Sequence, residues 1–173
     1  MQRRQLLKLA AGLPLLSASG LAYAKPDTRS LRFNHLHTGE RLNITYCENG
    51  SYLPEALAEI NRLLRDFRTE EVHVIEPDLL DFMHRIKSAV RSNSTYEIIS
   101  GYRSPATNEK LRRSSNGVAR KSFHMKGQAI DIRLPGVATR NLCRAARKLE
   151  MGGVGYYGAS DFIHIDVGPV RSW

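Results

Sequence analysis

The sequence predicts an α+β fold, a small antiparallel sheet with several helices packed against it. Three observations predict it. Two segments of the N-terminal half carry apolar residues at three- and four-residue spacing, the period of a helix with one buried face. Short runs such as "LRFNHL", "QAIDIRL" and "DFIHIDV" carry apolar residues at every second position, the period of half-buried strands. No repeat or internal linker interrupts the chain, and 173 residues with 42% apolar and 25% charged content suit one domain with one core.

Residues 1–24 stand apart from that domain. "MQRRQLLK" places Arg3 and Arg4 ahead of a leucine pair, and "LAAGLPLLSASGLAYA" is an apolar run too short to span a bilayer comfortably. Ala22, Tyr23 and Ala24 then have the small-residue form of a cleavage site. The expectation is a signal peptide cut after Ala24, and the paired arginines resemble the twin-arginine signal that exports folded bacterial proteins. The working domain is then residues 25–173, periplasmic, monomeric and without stable membrane insertion. Without Arg3, Arg4 and Lys8, the 26 basic residues become 23 against 17 acidic ones, so the formal charge falls from +9 to +6. A moderately basic exported protein suits an anionic partner such as cell-wall polymer. The chain has no compact Lys/Arg block interleaved with aromatics, which argues against nucleic acid.

Within the domain, two alternating runs in residues 25–52, separated by "HTGE", predict an opening β-hairpin. His35 and His37 lie on it with no carboxylate close in sequence and are expected to be solvated. Residues 53–67 put Leu57, Ile60, Leu64 and Phe67 on one helical face, behind Pro54 and Glu55, which suit a first turn. A second helix runs from Pro77 to about residue 92, with Leu79, Met83, Ile86 and Val90 on its stripe and His84 beside it. "YEIIS" at residues 96–100 reads as a short buried strand, residues 106–113 as a short polar helix, and residues 139–150 as a third long helix. Cys47 and Cys143 are far apart and form no CxxC pair. Cys143 sits at an apolar helix position, where a free buried thiol is expected and metal ligation is not.

Strand alternation selects the residues able to do chemistry. In "DFIHIDV", Ile163, Ile165 and Val167 point to the core, leaving Phe162, His164 and Asp166 on the other face. In "QAIDIRL", Ile130, Ile132 and Leu134 point inward, which sets Asp131 opposite them. His124 and Asp131 are seven positions apart, whereas two ligands on one helix need three- or four-residue spacing, so His124 is expected to arrive from the preceding loop, with Gly127 permitting the turn. Two histidines and a carboxylate with a fourth position left to water form a recurrent catalytic zinc shell. Spacing alone leaves a second reading open, in which His124 and Asp131 share a plain hydrogen bond and His164 fills a polar edge.

"SFHMKGQAID" at residues 122–131 resembles the SxHxxGxAxD motif of the M15-type zinc peptidases. "LLRDFR", "SGYRSPATN", "GGVGYY" and "FIHIDVGPVRSW" resemble, in order along nearly all of the mature chain, the exported murein endopeptidase K branch of that family. The resemblance implies an M15/hedgehog-like zinc peptidase fold, one Zn2+ per chain on His124, Asp131 and His164, and Arg103 facing the substrate. It implies an acidic general base at Asp161, three positions before His164, with Asp166, two positions after it, as the alternative or as a supporting residue. The implied activity is hydrolysis of peptide cross-links by a zinc-activated water, on peptidoglycan stem peptides as partners. Two alternatives stand beside it: trimming of a terminal D-alanine, and a non-catalytic zinc-containing module that binds cell wall.

Overall fold

The computed structural model describes residues 27–115 and 117–173, and the export segment expected at residues 1–24 lies outside the described residues. The chain opens with the expected hairpin, β1 (Arg29–His35) and β2 (Arg41–Glu48), followed by a short β3 (Ser51–Tyr52). Two helices come next, α1 (Pro54–Leu63) and α2 (Pro77–Ala89), each with proline in its first turn, where the missing N–H costs nothing. Then follow β4 (Tyr96–Ser100), α3 (Pro105–Ser114), β5 (Ala129–Arg133), α4 (Thr139–Lys148), β6 (Gly153–Tyr157), β7 (Phe162–Asp166) and β8 (Arg171–Ser172). The α+β class is as the sequence predicts.

The sheet is larger than expected and mixed in direction. Its order is β3-β2-β1-β4-β5-β7-β6-β8, with β1 parallel to β4 and β6 parallel to β8. The central run β4-β5-β7-β6 is antiparallel throughout. Ile130, Ile132, Ile163 and Ile165 point into the core from this run, where they join Leu79, Phe82, Met83 and Ile86 of α2 and Leu142 and Ala146 of α4. The opposite face of β5 and β7 is left for polar side chains, as alternation requires. Cys47 and Cys143 are buried free thiols.

α1, β6 and His35 depart from the sequence expectation. α1 stops at Leu63, short of residue 67, because the chain turns at Leu64, whose carbonyl accepts from the Tyr102 amide at 2.8 Å. The buried Asp66 then accepts from the backbone amides of Ser104 and Arg68, and Phe67 leaves the helical stripe to stack on His37. β6 was not expected, because "GVGYY" hides its alternation behind glycines. The reason for one of them is steric: a Cβ at Gly155 would stand 2.6 Å from the Trp173 ring that crosses the strand. His35 is fully buried, contrary to the solvated reading. Its Nδ1 accepts from the backbone amides of His37 and Thr38, and burial holds its pKa down at about 4.

Candidate metal centre

Pairing of β5 with β7 sets Asp131 directly opposite His164 on the polar face of the sheet. His124 reaches the same point from a single 3-10 turn, Phe123–Lys126. Ser122 opens that turn by accepting from the His124 amide, and Gly127 closes it in the left-handed region at φ 66°. A Cβ on Gly127 would lie 2.0 Å from the Val74 carbonyl, so only glycine allows the turn to dock there. The ligand atoms available on His124, Asp131 and His164 lie within 4.8 Å of one another.

Hydrogen bonds behind each ring fix what the rings present to the centre. His124 Nδ1 is 2.7 Å from the Gly101 carbonyl, which can only accept, so Nδ1 carries the proton and Nε2 offers a lone pair. His164 Nε2 lies 3.0 Å from Asp166 Oδ2, which turns Nδ1 toward the centre. His124 Nε2, His164 Nδ1 and Asp131 Oδ1 are 2.9 to 3.3 Å apart in pairs. In that arrangement three acceptor atoms converge and repel unless a cation or a proton lies among them. For bonds of about 2.0–2.1 Å the edge of a tetrahedral zinc shell is about 3.3–3.4 Å, close to these separations. The residues present therefore fit a divalent ion of the zinc type, with the neutral imidazoles and carboxylate it prefers.

The electrostatics differ from one member of the cluster to the next. Burial opposes charge on Asp131, but the two imidazoles and the Arg103 guanidinium outweigh it and hold the carboxyl far below the usual carboxylate range. Burial pushes the His124 pKa down. His164 is raised: burial works against its charge, and hydrogen bonds to Asp131 and Asp166 overcome it. Asp166 is fully buried, yet His164, the Arg171 guanidinium and the Gly168 amide keep it ionised against that burial. Arg171 grips it with both arms, at 3.0 and 2.7 Å.

Arg103 is drawn to the cluster by two contacts, Nε to the Ser100 hydroxyl at 2.8 Å and a terminal nitrogen to Asp131 Oδ2. Its remaining N–H groups stay available on the wall of an open cleft of about 520 Å³. His124, Asp131 and His164 lie on the same cleft, whose other wall is aromatic: Tyr157 stacks on Phe162 at 4.6 Å, and Trp173 stands 5.4 Å from the His164 ring. Trp173 Nε1 donates to the Tyr157 hydroxyl at 3.1 Å. Alternation already put Phe162 on the face of His164; the Trp173 and Arg171 contacts depend on β8 and left no local signal in the sequence.

The two acidic candidates fall differently. Asp161 sits in a left-handed turn at φ 52°, before the alternation of β7 begins, and accepts from the Thr139 hydroxyl in the first turn of α4. A carboxylate is favoured there by the helix dipole, and Asp161 lines a depression beside α4 instead of the cleft. Asp166 lies on the Nε2 side of His164, away from the converging atoms, and acts on the ring rather than toward the cleft. Asp166→Asn is expected to lower affinity for Zn2+ about ten- to a hundredfold by loosening His164, while Asp161→Asn leaves it unchanged; competition titration against a chromophoric chelator measures both.

A family model described as peptidoglycan L,D-endopeptidase MepK matches residues 23–173. The peptidoglycan L,D-endopeptidase MepK of Escherichia coli (strain K12) is 42% identical over 175 residues, covering 99% of this chain and 96% of that protein. The protein of the same name in Shigella flexneri matches with the same identity and coverage.

Proposed function

The chain belongs to the family described as peptidoglycan L,D-endopeptidase MepK, and from that premise we propose that it is an exported, zinc-dependent hydrolase of peptide cross-links in peptidoglycan. The observation that carries the metal reading is the convergence of His124 Nε2, His164 Nδ1 and Asp131 Oδ1 on the floor of an open cleft, each turned there by a partner behind it. Zinc held by these three residues would supply a water acidic enough to ionise near neutral pH and a Lewis acid for the scissile carbonyl.

The chain's own residues do the rest. Gly101 and Asp166 fix the imidazole tautomers, and Asp166 is in turn held by Arg171. Arg103 offers its free donors to a carbonyl oxygen as negative charge develops on it, or to a neighbouring stem-peptide carboxylate. Tyr157, Phe162 and Trp173 give the peptide an apolar wall to lie on. For Asp161 to take a proton in the cleft, its carboxylate has to leave Thr139; its neighbours Ser160 and Phe162 are already on the cleft wall.

The L,D specificity in the relatives' names supports cleavage of L,D bonds here in preference to D,D bonds. The pattern of residues 1–24 supports a twin-arginine signal and a periplasmic domain, residues 25–173; the one three-residue cluster among the described residues supports one zinc ion per chain. Digestion of defined muropeptide dimers, with and without a chelator and read by mass, tests the proposal. Chelator-sensitive conversion of L,D-linked dimers to monomers is the expected result. Loss of only a terminal D-alanine, or no reaction by zinc-loaded protein, would overturn it in favour of trimming or of a binding role.

A further inference from the structure

A second concave site lies at the other end of the sheet. In the β1–β2 ribbon, Arg32 pairs with Asn43 and Ser30 with Thr45, so all four side chains share one face. β4 pairs with β1 only from Phe33 onward, which leaves the first part of β1 open toward the flank of α2. That flank presents Lys87 and Ser88 from the last turn of α2, and Arg91 from the turn that closes the helix. Between ribbon and helix runs a groove of about 480 Å³, distinct from the cleft. Arg32 is level with the residue before Tyr96, whereas the metal cluster is level with Ser100, so the two sites are roughly 17 Å apart along the strands.

Apart from the His84 imidazole, the lining of this groove is cationic and hydroxyl- or amide-bearing, and it includes no carboxylate. Among the described residues, Arg32, Lys87 and Arg91 have no carboxylate partner, and the nearby Asp27 and Asp81 are both tied to Arg29, at 2.6 and 2.5 Å. Burial, and then the charge of Arg32, push the Lys87 ammonium below the ordinary lysine range, so the two cations repel across the groove. Arg91 adds a local cost. It occupies the left-handed position that closes α2, at φ 50°, with Arg91 N bonded to Ser88 O and Ser92 N to Lys87 O, a place glycine would fill without strain. Local stability argues against each of these choices, and an anion in the groove would offset the repulsion among the cations.

We propose that this groove is a non-catalytic attachment site for the carboxylates of peptidoglycan stem peptides, holding the polymer while the cleft works on a cross-link. The proposal rests on the reading of the chain as a peptidoglycan hydrolase: a polymer bearing many carboxylates can reach both sites at once, and the hydroxyls and amides of Ser30, Thr45, Asn43 and Asn93 suit its sugars and peptide groups. An attachment held by exposed cations weakens with salt.

The test compares the purified chain with the triple variant Arg32→Gln, Lys87→Gln, Arg91→Gln in two assays, co-sedimentation with lipid-free sacculi and turnover of a soluble L,D-linked dimer. The variant is expected to bind sacculi about tenfold more weakly at low salt and to lose most of the salt dependence, with dimer turnover unchanged. Amidation of the sacculus carboxyl groups is expected to reduce binding of the unmodified chain to the level of the variant. Unchanged binding of the variant overturns the proposal, as does binding insensitive to amidation. Tight binding to anionic phospholipid vesicles with none to sacculi also overturns it, in favour of a membrane surface. If the triple variant melts early, Arg32→Gln alone, at an exposed strand position, carries the same comparison. Failure of the unmodified chain to cleave the dimer sinks the hydrolase reading, while sedimentation judges the groove separately.

Discussion

Replacing His124 by alanine is expected to remove metal binding and hydrolysis together, with turnover of an L,D-linked dimer falling by at least about a thousandfold. The size of the effect follows from the construction of the centre. His124 is 2% exposed and supplies one of three converging atoms; with Nε2 gone, Asp131 and His164 alone make a two-ligand site, too few for a closed tetrahedral shell. The Gly101 carbonyl loses its partner as well, so a fall of about 1–3 kcal/mol in stability is expected beside the loss of function. Elemental analysis of the purified variant, dimer turnover and a thermal melt separate the two effects. A variant that melts as a folded protein yet carries no zinc assigns the loss to the metal; one that keeps stoichiometric zinc would remove His124 from the ligand set.

How much of this site the sequence discloses depends on whether the deciding contact is periodic. Asp131 and His164 lie between pairs of isoleucines, Ile130 and Ile132, Ile163 and Ile165, all completely buried, so burial of one face forces both polar side chains onto the other. Pairing of the two strands then completes what alternation implies. Gly127 marks the turn that returns His124 for an equally local reason, its positive φ. Contacts that join distant segments leave no such mark. The grip of Arg171 on Asp166 needs β8 to lie against β6, and β6 itself is masked by Gly153, which makes room for Arg171 and Asp166, and Gly155, which makes room for Trp173.

The same reasoning explains the early end of α1, the burial of His35 and the position of Asp161. Nothing in the spacing from 53 to 67 announces that Leu64 is claimed by Tyr102, or that Asp66 is needed by Ser104 at the start of α3. His35 looks like an edge residue in a polar hairpin, but Phe67, released from α1, meets its ring edge-on and covers it. Asp161 stands three positions before His164, yet the left-handed turn at Asp161 sends its carboxylate toward Thr139. A motif position fixes which residue is present; the turn decides which way it faces.

For Arg103 the expected split is between chemistry and metal binding. Arg103→Ala is expected to lower kcat/KM by about a hundred- to a thousandfold, mostly in kcat, while zinc affinity falls by no more than about tenfold. Its guanidinium braces Asp131 through Oδ2, whereas the oxygen that faces the two imidazoles is Oδ1, so removing the brace leaves the converging atoms in position. What disappears with the side chain is a set of fixed donors on the cleft wall, where charge on a carbonyl oxygen would develop. Arg103→Lys sharpens the test: lysine keeps the charge near Asp131 but cannot bond Ser100 and Asp131 while presenting a planar fork to the cleft. It should therefore restore zinc affinity fully and turnover only in part. Equal losses of zinc and turnover in Arg103→Ala, with lysine restoring both, would reduce Arg103 to a brace for Asp131 and take the oxyanion role away from it.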